Sequence, residues 1–273
     1  MEETINSSEV PYLEEIQRYM PIDPIDEEDI NKYIDNIVNL ICVNFKYTQY
    51  QFAYFGAHLL YMTYIYCSVW KISRFSPERY TDSILFARAY SGKEKKIDFL
   101  NIRSIFQYSN VPEKDMAKFF SIVCLDDAQI KNIQSMVDKR NDLAHASGRF
   151  ELLTEEQFKS DMNAIYSSFK NIHRCMDKQI RQWFGDMIVQ YAKGGFDEDY
   201  SEVSDVVYEE MIQNYNLSIN ELLICNEASI TEYVRNYKEY GLAQEQVPRL
   251  QKLKDAIRSF CDDQGYLYED IQT

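Results

Sequence analysis

Apolar residues along most of this chain return at intervals of three and four, the spacing that lines one face of an α-helix. Within Asp26–Tyr47, the residues Ile30, Tyr33, Ile34, Ile37, Leu40 and Ile41 follow it and predict a first long helix. An apolar stretch over 49–72 predicts the second. Ser76-Pro77-Glu78 is a start signal, with serine as cap and proline at the first helical position. It predicts a third helix to about Tyr90, stopped by Ser91-Gly92. Lys95–Tyr108 and Pro112–Val123 also read as helical. Asp126–Gln129 and Thr154–Gln157 have the spacing of capping boxes. The first opens a helix through Ile130, Ile133, Met136 and Val137 that ends near Gly148. The second opens a long helix with Phe158, Met162, Ile165, Phe169, Ile172, Met176 and Ile180 on one face. Gly194-Gly195 then breaks the chain, and Ser201–Tyr215, Ile219–Cys225, Ile230–Tyr240 and Val247–Phe260 read as shorter helices.

Composition agrees with this pattern. Gly (8) and Pro (6) are scarce in 273 residues, too few for a turn-rich sheet fold. Apolar residues make up 45%, enough for a sizeable core. The expected class is all-α, a helical bundle with long core helices and a smaller C-terminal helical extension. Residues 1–25, with Pro11, Pro21 and Pro24, read as a loose acidic arm. The main helical domain is placed at 26–193 and the C-terminal helical region at 194–273.

Tyr47–Trp70 contains no Lys, Arg, Asp or Glu and is long enough to span a bilayer. It also contains Gln49, Gln51, His58 and six tyrosines, Tyr47 included. Tyrosine hydroxyls find partners inside a protein and not in lipid, so a buried core helix is preferred to a membrane anchor. The six cysteines lie at least 25 positions apart, with no CxxC pair, which favours buried thiols over a zinc site. Residues 2–15 carry five acids and no basic residue, unlike a secretory leader. These features together predict a cytoplasmic protein without a membrane association.

The net charge of −15 excludes nucleic-acid binding through the overall field, so any such function needs a local basic site. Charge is also segregated: Gly194–Val234 holds ten acids and no Lys or Arg, whereas 235–258 holds Arg235, Lys238, Arg249, Lys252, Lys254 and Arg258. The basic cluster reads first as a solvated helix face and second as a phosphate-tracking surface. For the acidic run 197–210, a solvated surface, a dock for a basic partner and a shield over the site all stand open. The 22 tyrosines fall mostly in apolar helical stretches and read as core rather than as base-stacking platforms.

No phosphate-cradling glycine loop, nucleophile elbow, HExxH or calcium loop is present, and no cofactor is called for. Of the three histidines, His58 lies in the apolar helix and reads as a hydrogen-bonded core residue. His173 lies on a charged stretch and reads as solvent-facing. His145 differs, because it closes the segment Arg140-Asn141-Asp142-Leu143-Ala144-His145. Asn141 and His145 are four apart and share a helix face, so Asn141 can orient the imidazole. Arg140 is five from His145, about 140° round an ideal helix. The pair converges only if the helix deforms or a second copy supplies the other half. Histidine moves protons near neutrality, and arginine suits phosphate oxygens. The plain alternative is helix capping, since cations favour helix C-termini.

The segment resembles the R-x4–6-H motif of the HEPN superfamily, in its Arg-Asn-x-x-x-His form, and the resemblance covers residues 26–190. It implies a helical bundle that dimerises around the motif. Many members are metal-independent endoribonucleases of antiviral defence or toxin–antitoxin pairs; others are non-catalytic interaction modules. By this resemblance Arg140 and His145 from two protomers form one site. RNA is then cut by its own 2′-hydroxyl, leaving a 2′,3′-cyclic phosphate. A regulatory protein partner is also implied for some members. One subset carries a tyrosine two residues after the histidine, where this chain has Ser147.

Overall fold

The computed structural model describes residues 6–22, 30–84, 98–122, 126–144, 152–225 and 227–263. Among them the regular structure is helical, with no strand and an isolated bridge between Pro21 and Ser218. The all-α bundle expected from the apolar spacing is what forms. The helices are α1 (Leu13–Gln17), α2 (Ile30–Lys46), α3 (Tyr50–Phe75), α4 (Pro77–Ile84), α5 (Glu113–Met116) and α6 (Asp127–Ala144). They continue as α7 (Glu155–Ala192), α8 (Val203–Asp205), α9 (Ile219–Ile224), α10 (Glu227–Arg235) and α11 (Val247–Asp263). Both predicted capping boxes form. Gln129 accepts from the Asp126 amide at 3.0 Å while Asp126 accepts from the Gln129 amide at 2.8 Å. Gln157 and Thr154 do the same at 2.8 and 3.3 Å.

The described chain divides into two compact units. The first takes the residues up to Met20 and those from α2 to Met176; the second takes Pro21, Ile22 and the chain from Asp177 onward. The division falls inside α7, ahead of the composition break at Gly194, which ends that helix in a left-handed conformation at φ +83°.

In the first unit α3 is buried on most of its circumference, as an apolar helix without a polar face must be. Its tyrosines find partners. The Tyr61 and Ser168 hydroxyls are 2.9 Å apart, Tyr64 donates to the Phe169 carbonyl at 3.2 Å, and the Tyr64 and Phe169 rings stack at 3.9 Å. Each residue of the predicted apolar face of α7, from Phe158 to Ile180, is buried. Gly56 lets α2 and α3 approach closely: a Cβ there would lie 2.8 Å from Ile41 Cγ1. Leu40, expected in the core, is 41% exposed instead, on the margin of this seam. Among the described residues, no helix is long and apolar enough to cross a membrane.

Several local expectations change. The N-terminal arm is not loose over its described part, because Val10, Leu13, Ile16, Tyr19 and Met20 are buried and Tyr12 stacks on Tyr166. Pro11 and Pro21 bound short elements rather than preventing packing. The helix expected over Lys95–Tyr108 is absent from its described residues before Ile105. Asp98 caps a turn through the Leu100 amide and the Asn101 side chain, and Gln107 accepts from the Arg103 and Ser104 amides. Such side-chain bonds offer the backbone an alternative to the helix ladder; a 3-10 helix, Ile105–Asn110, follows. Ser201–Tyr215 forms the short α8 and a π-helix over Val206–Asn214 instead of one α-helix. Cys42, Cys67, Cys225 and Cys261 are buried free thiols as expected, but Cys175 is disulfide-bonded.

Candidate functional site

Arg140 lies on α6 one turn before its last described residue, and Asn141 follows it. Both line a cleft of about 370 Å³ in the first unit, together with Ser109, Asn110, Glu113 and Lys114. α6 is a short-range product of its capping box and its Ile133–Met136–Val137 face, all three buried. That buried face fixes the rotation of the helix and so turns Arg140 toward α5.

The Arg140 guanidinium is held by a carboxylate that the sequence did not single out. Its Nη2 donates to Glu113 Oε2 at the start of α5, with side chains 28% and 26% exposed. The same oxygen lies 3.1 Å from His58 Nε2 on α3. His58 is buried, as expected for a core histidine, and its partner is this carboxylate. One oxygen thus joins a buried imidazole to a partly exposed guanidinium. Burial pushes the Glu113 carboxyl up, but the hydrogen bonds and charges of His58 and Arg140 outweigh it and leave the group below its ordinary value.

Neighbouring cations are paired in the same way. Lys114 meets Asp138, Lys118 meets Asp115 and Lys139 meets Asp161. Among the residues lining the cleft, Lys114 and Arg140 are the cations and Glu113 is the carboxylate. Each of these two cations is balanced by a carboxylate, Asp138 for Lys114 and Glu113 for Arg140.

Of the sequence-predicted site residues, Arg140 and Asn141 stand together on this cleft, and His145 lies outside the described residues. Glu113 was missed. It is 27 positions from Arg140 and 55 from His58, so no local spacing announces it. Among the described residues, no three of His, Cys, Asp or Glu are grouped to hold a metal ion.

The second unit brings the acidic run and the basic cluster into contact. Arg249 on α11 makes a two-pronged bond to Asp197, at 3.1 Å for Nη1–Oδ2, and sits 5.0 Å over the Tyr191 ring. Glu210 accepts from Tyr200 at 3.1 Å and from Asn214 at 2.9 Å. Asp197 and Glu210 are thus engaged within their own unit, while Glu198, Asp199, Glu202 and Glu209 of the same run are exposed. The comparisons with protein-family models, curated proteins and solved structures match nothing.

Proposed function

We propose that this protein is a metal-independent RNA endonuclease of the HEPN type, acting as a dimer in antiviral defence or toxin–antitoxin biology. The observation that carries the reading is the placement of Arg140 and Asn141 side by side on an open cleft, with Arg140 as one of its two cations. A charge-assisted guanidinium suits the oxygens of a phosphodiester. In the proposed reaction the RNA 2′-oxygen bonds to phosphorus, the P–O5′ bond breaks, and a 2′,3′-cyclic phosphate and a 5′-hydroxyl form. His145 moves a proton, taking it from the 2′-hydroxyl or delivering it to the departing oxygen. Arg140 offsets the charge that grows on the phosphoryl oxygens. Asn141 orients the imidazole. The about 140° between Arg140 and His145 on an ideal helix is met by two copies sharing a site. RNA is the substrate, no cofactor is required, and the cytoplasm is the expected compartment.

A second reading is favoured by a specific observation. The Arg140–Glu113–His58 group also serves as a structural ion cluster, and the protein is then a non-catalytic module of the same fold that engages a regulatory partner. A gel assay on several RNAs in EDTA, with unaltered protein and His145→Ala, separates the two. Loss of cleavage with retained helicity supports the nuclease. Cleavage that is indifferent to His145 removes the mechanism, and failure of every RNA to be cut with candidate partners present favours the module.

A further inference from the structure

The cleft of the proposed nuclease site already contains an anion of its own. Glu113 presents one carboxylate oxygen, Oε2, to Nη2 of Arg140, and a guanidinium pairs with carboxylate and phosphate oxygens alike. Its oxygen has a second donor, His58 Nε2 at 3.1 Å. His58 is buried at 2% exposure and cannot follow a ligand out of the core. Arg140 is 28% exposed and ends a flexible stem. A displaced Glu113 therefore has a fixed donor to stay with, while Arg140 has freedom to turn to a newcomer. With Glu113 withdrawn from Arg140, the lining holds Arg140, Lys114 with its Asp138 partner, the amide of Asn141 and the second N–H of Asn110, whose first goes to the Gln107 carbonyl at 3.0 Å, a set matched to a phosphate group.

We propose that Glu113 stands in the place of a phosphate at Arg140, and that the cleft takes a phosphodiester by exchanging its phosphate for this carboxylate while His58 keeps hold of Glu113. This rests on the nuclease reading for its substrate, RNA, though the exchange itself requires only a phosphate. Glu113 is then a positioning and gating residue: it keeps Arg140 ordered in the empty site and sets a threshold that weak anions do not cross. Lys114 has an analogous partner in Asp138, but both side chains are about half exposed, at 46% and 52%, so that pair is screened by water and exchanges at little cost.

The test measures binding of a labelled 2′-O-methyl RNA oligonucleotide, which cannot be cut through its 2′-oxygen, and of inorganic phosphate as competitor. Glu113→Gln keeps the side chain's shape and removes its charge. It is expected to bind the oligonucleotide roughly tenfold or more tightly than the unaltered protein, the scale of one charge-assisted hydrogen bond. The gain should vanish in Glu113→Gln/Arg140→Ala. Asp138→Asn makes the same change of net charge nearby and should give a much smaller gain. If Glu113→Gln does not fold, as judged by its helical circular dichroism, Glu113→Asp keeps the charge but shortens its reach and should tighten binding by a lesser factor. Equal gains for Glu113→Gln and Asp138→Asn would reduce the effect to net charge and overturn the exchange. So would a gain that survives loss of Arg140, or no gain in either Glu113 variant. The same variants are run on cleavable RNA. Arg140-dependent tightening with no cleavage keeps the phosphate exchange and removes the nuclease; His145-dependent cleavage with no tightening keeps the nuclease and removes the exchange.

Discussion

Nε2 of His58 lies 3.1 Å from Oε2 of Glu113, across 55 positions of sequence. The imidazole is buried in α3, and the carboxylate opens the four-residue α5. This bond ties the core of the first unit to its cleft. Glu113 also receives Arg140, so removing the imidazole leaves a partly buried carboxylate with one donor fewer. His58→Leu should therefore lower stability by about 1.5–3 kcal/mol, the range for hydrogen bonds to charged groups. Urea unfolding followed by circular dichroism measures it, and an unchanged midpoint would show that the bond contributes nothing net.

The Glu113 carboxyl is held below its ordinary value, which gives a pH signature. A depressed carboxyl contributes stability that is complete above the unfolded value, about 4.3 for glutamate, and is lost as pH falls through the folded value. Asp161 works with the opposite sign: burial pushes its carboxyl up against the pull of Lys139, so the folded state holds its proton more firmly. The contrast between the unaltered protein and Glu113→Gln isolates the first effect. Their melting temperatures should differ near neutrality, with the unaltered protein higher, and converge in acid. A constant gap across the titration would argue against it.

Arg140→Ala and His145→Ala should each reduce RNA cleavage by about 10²–10⁴-fold, through lost charge stabilisation and lost proton transfer respectively. Asn141→Ala should do less, because the proposed mechanism gives it only the orientation of His145. Rates in EDTA for the three variants give the order, and Asn141→Ala as damaging as His145→Ala would assign Asn141 a direct role. DNA of the same sequence should survive, because it lacks the attacking hydroxyl.

Gly56→Ala places a methyl 2.8 Å from Ile41 Cγ1, inside the contact distance of two carbons. α2 and α3 must shift to accept it, and overpacking of this kind costs about 1–3 kcal/mol. Ile41→Ala removes the Cγ1 that the new methyl meets, so Gly56→Ala should cost less in an Ile41→Ala background than in the unaltered protein. Purely additive effects in a double-mutant cycle would mean that the contact does not limit the approach of the helices.

The Arg249–Asp197 pair is two-pronged yet half in solvent, with side chains 34% and 54% exposed. Its coupling should be about 0.2–1 kcal/mol, near the ordinary range for exposed pairs. A double-mutant cycle in low and high salt measures it. A coupling insensitive to salt would instead point to the packing of Arg249 over Tyr191.

The sequence by itself determined the helical class, both capping boxes and the buried face of α7, because these depend on contacts within a few residues or on a repeating apolar period. It also marked the core character of α3, since uncharged residues and tyrosines need partners that only an interior supplies. It failed over Asp98–Ser104, where side-chain bonds from Asp98 and Gln107 compete with the helix ladder, and over Val206–Asn214, where the period does not distinguish an α-helix from a π-helix. The motif pointed to Arg140 and Asn141, which share the cleft. Only the tertiary structure decided what Arg140 faces. Glu113, Arg140 and His58 come from three helices, and their meeting depends on how α3, α5 and α6 pack, which no spacing along the chain encodes.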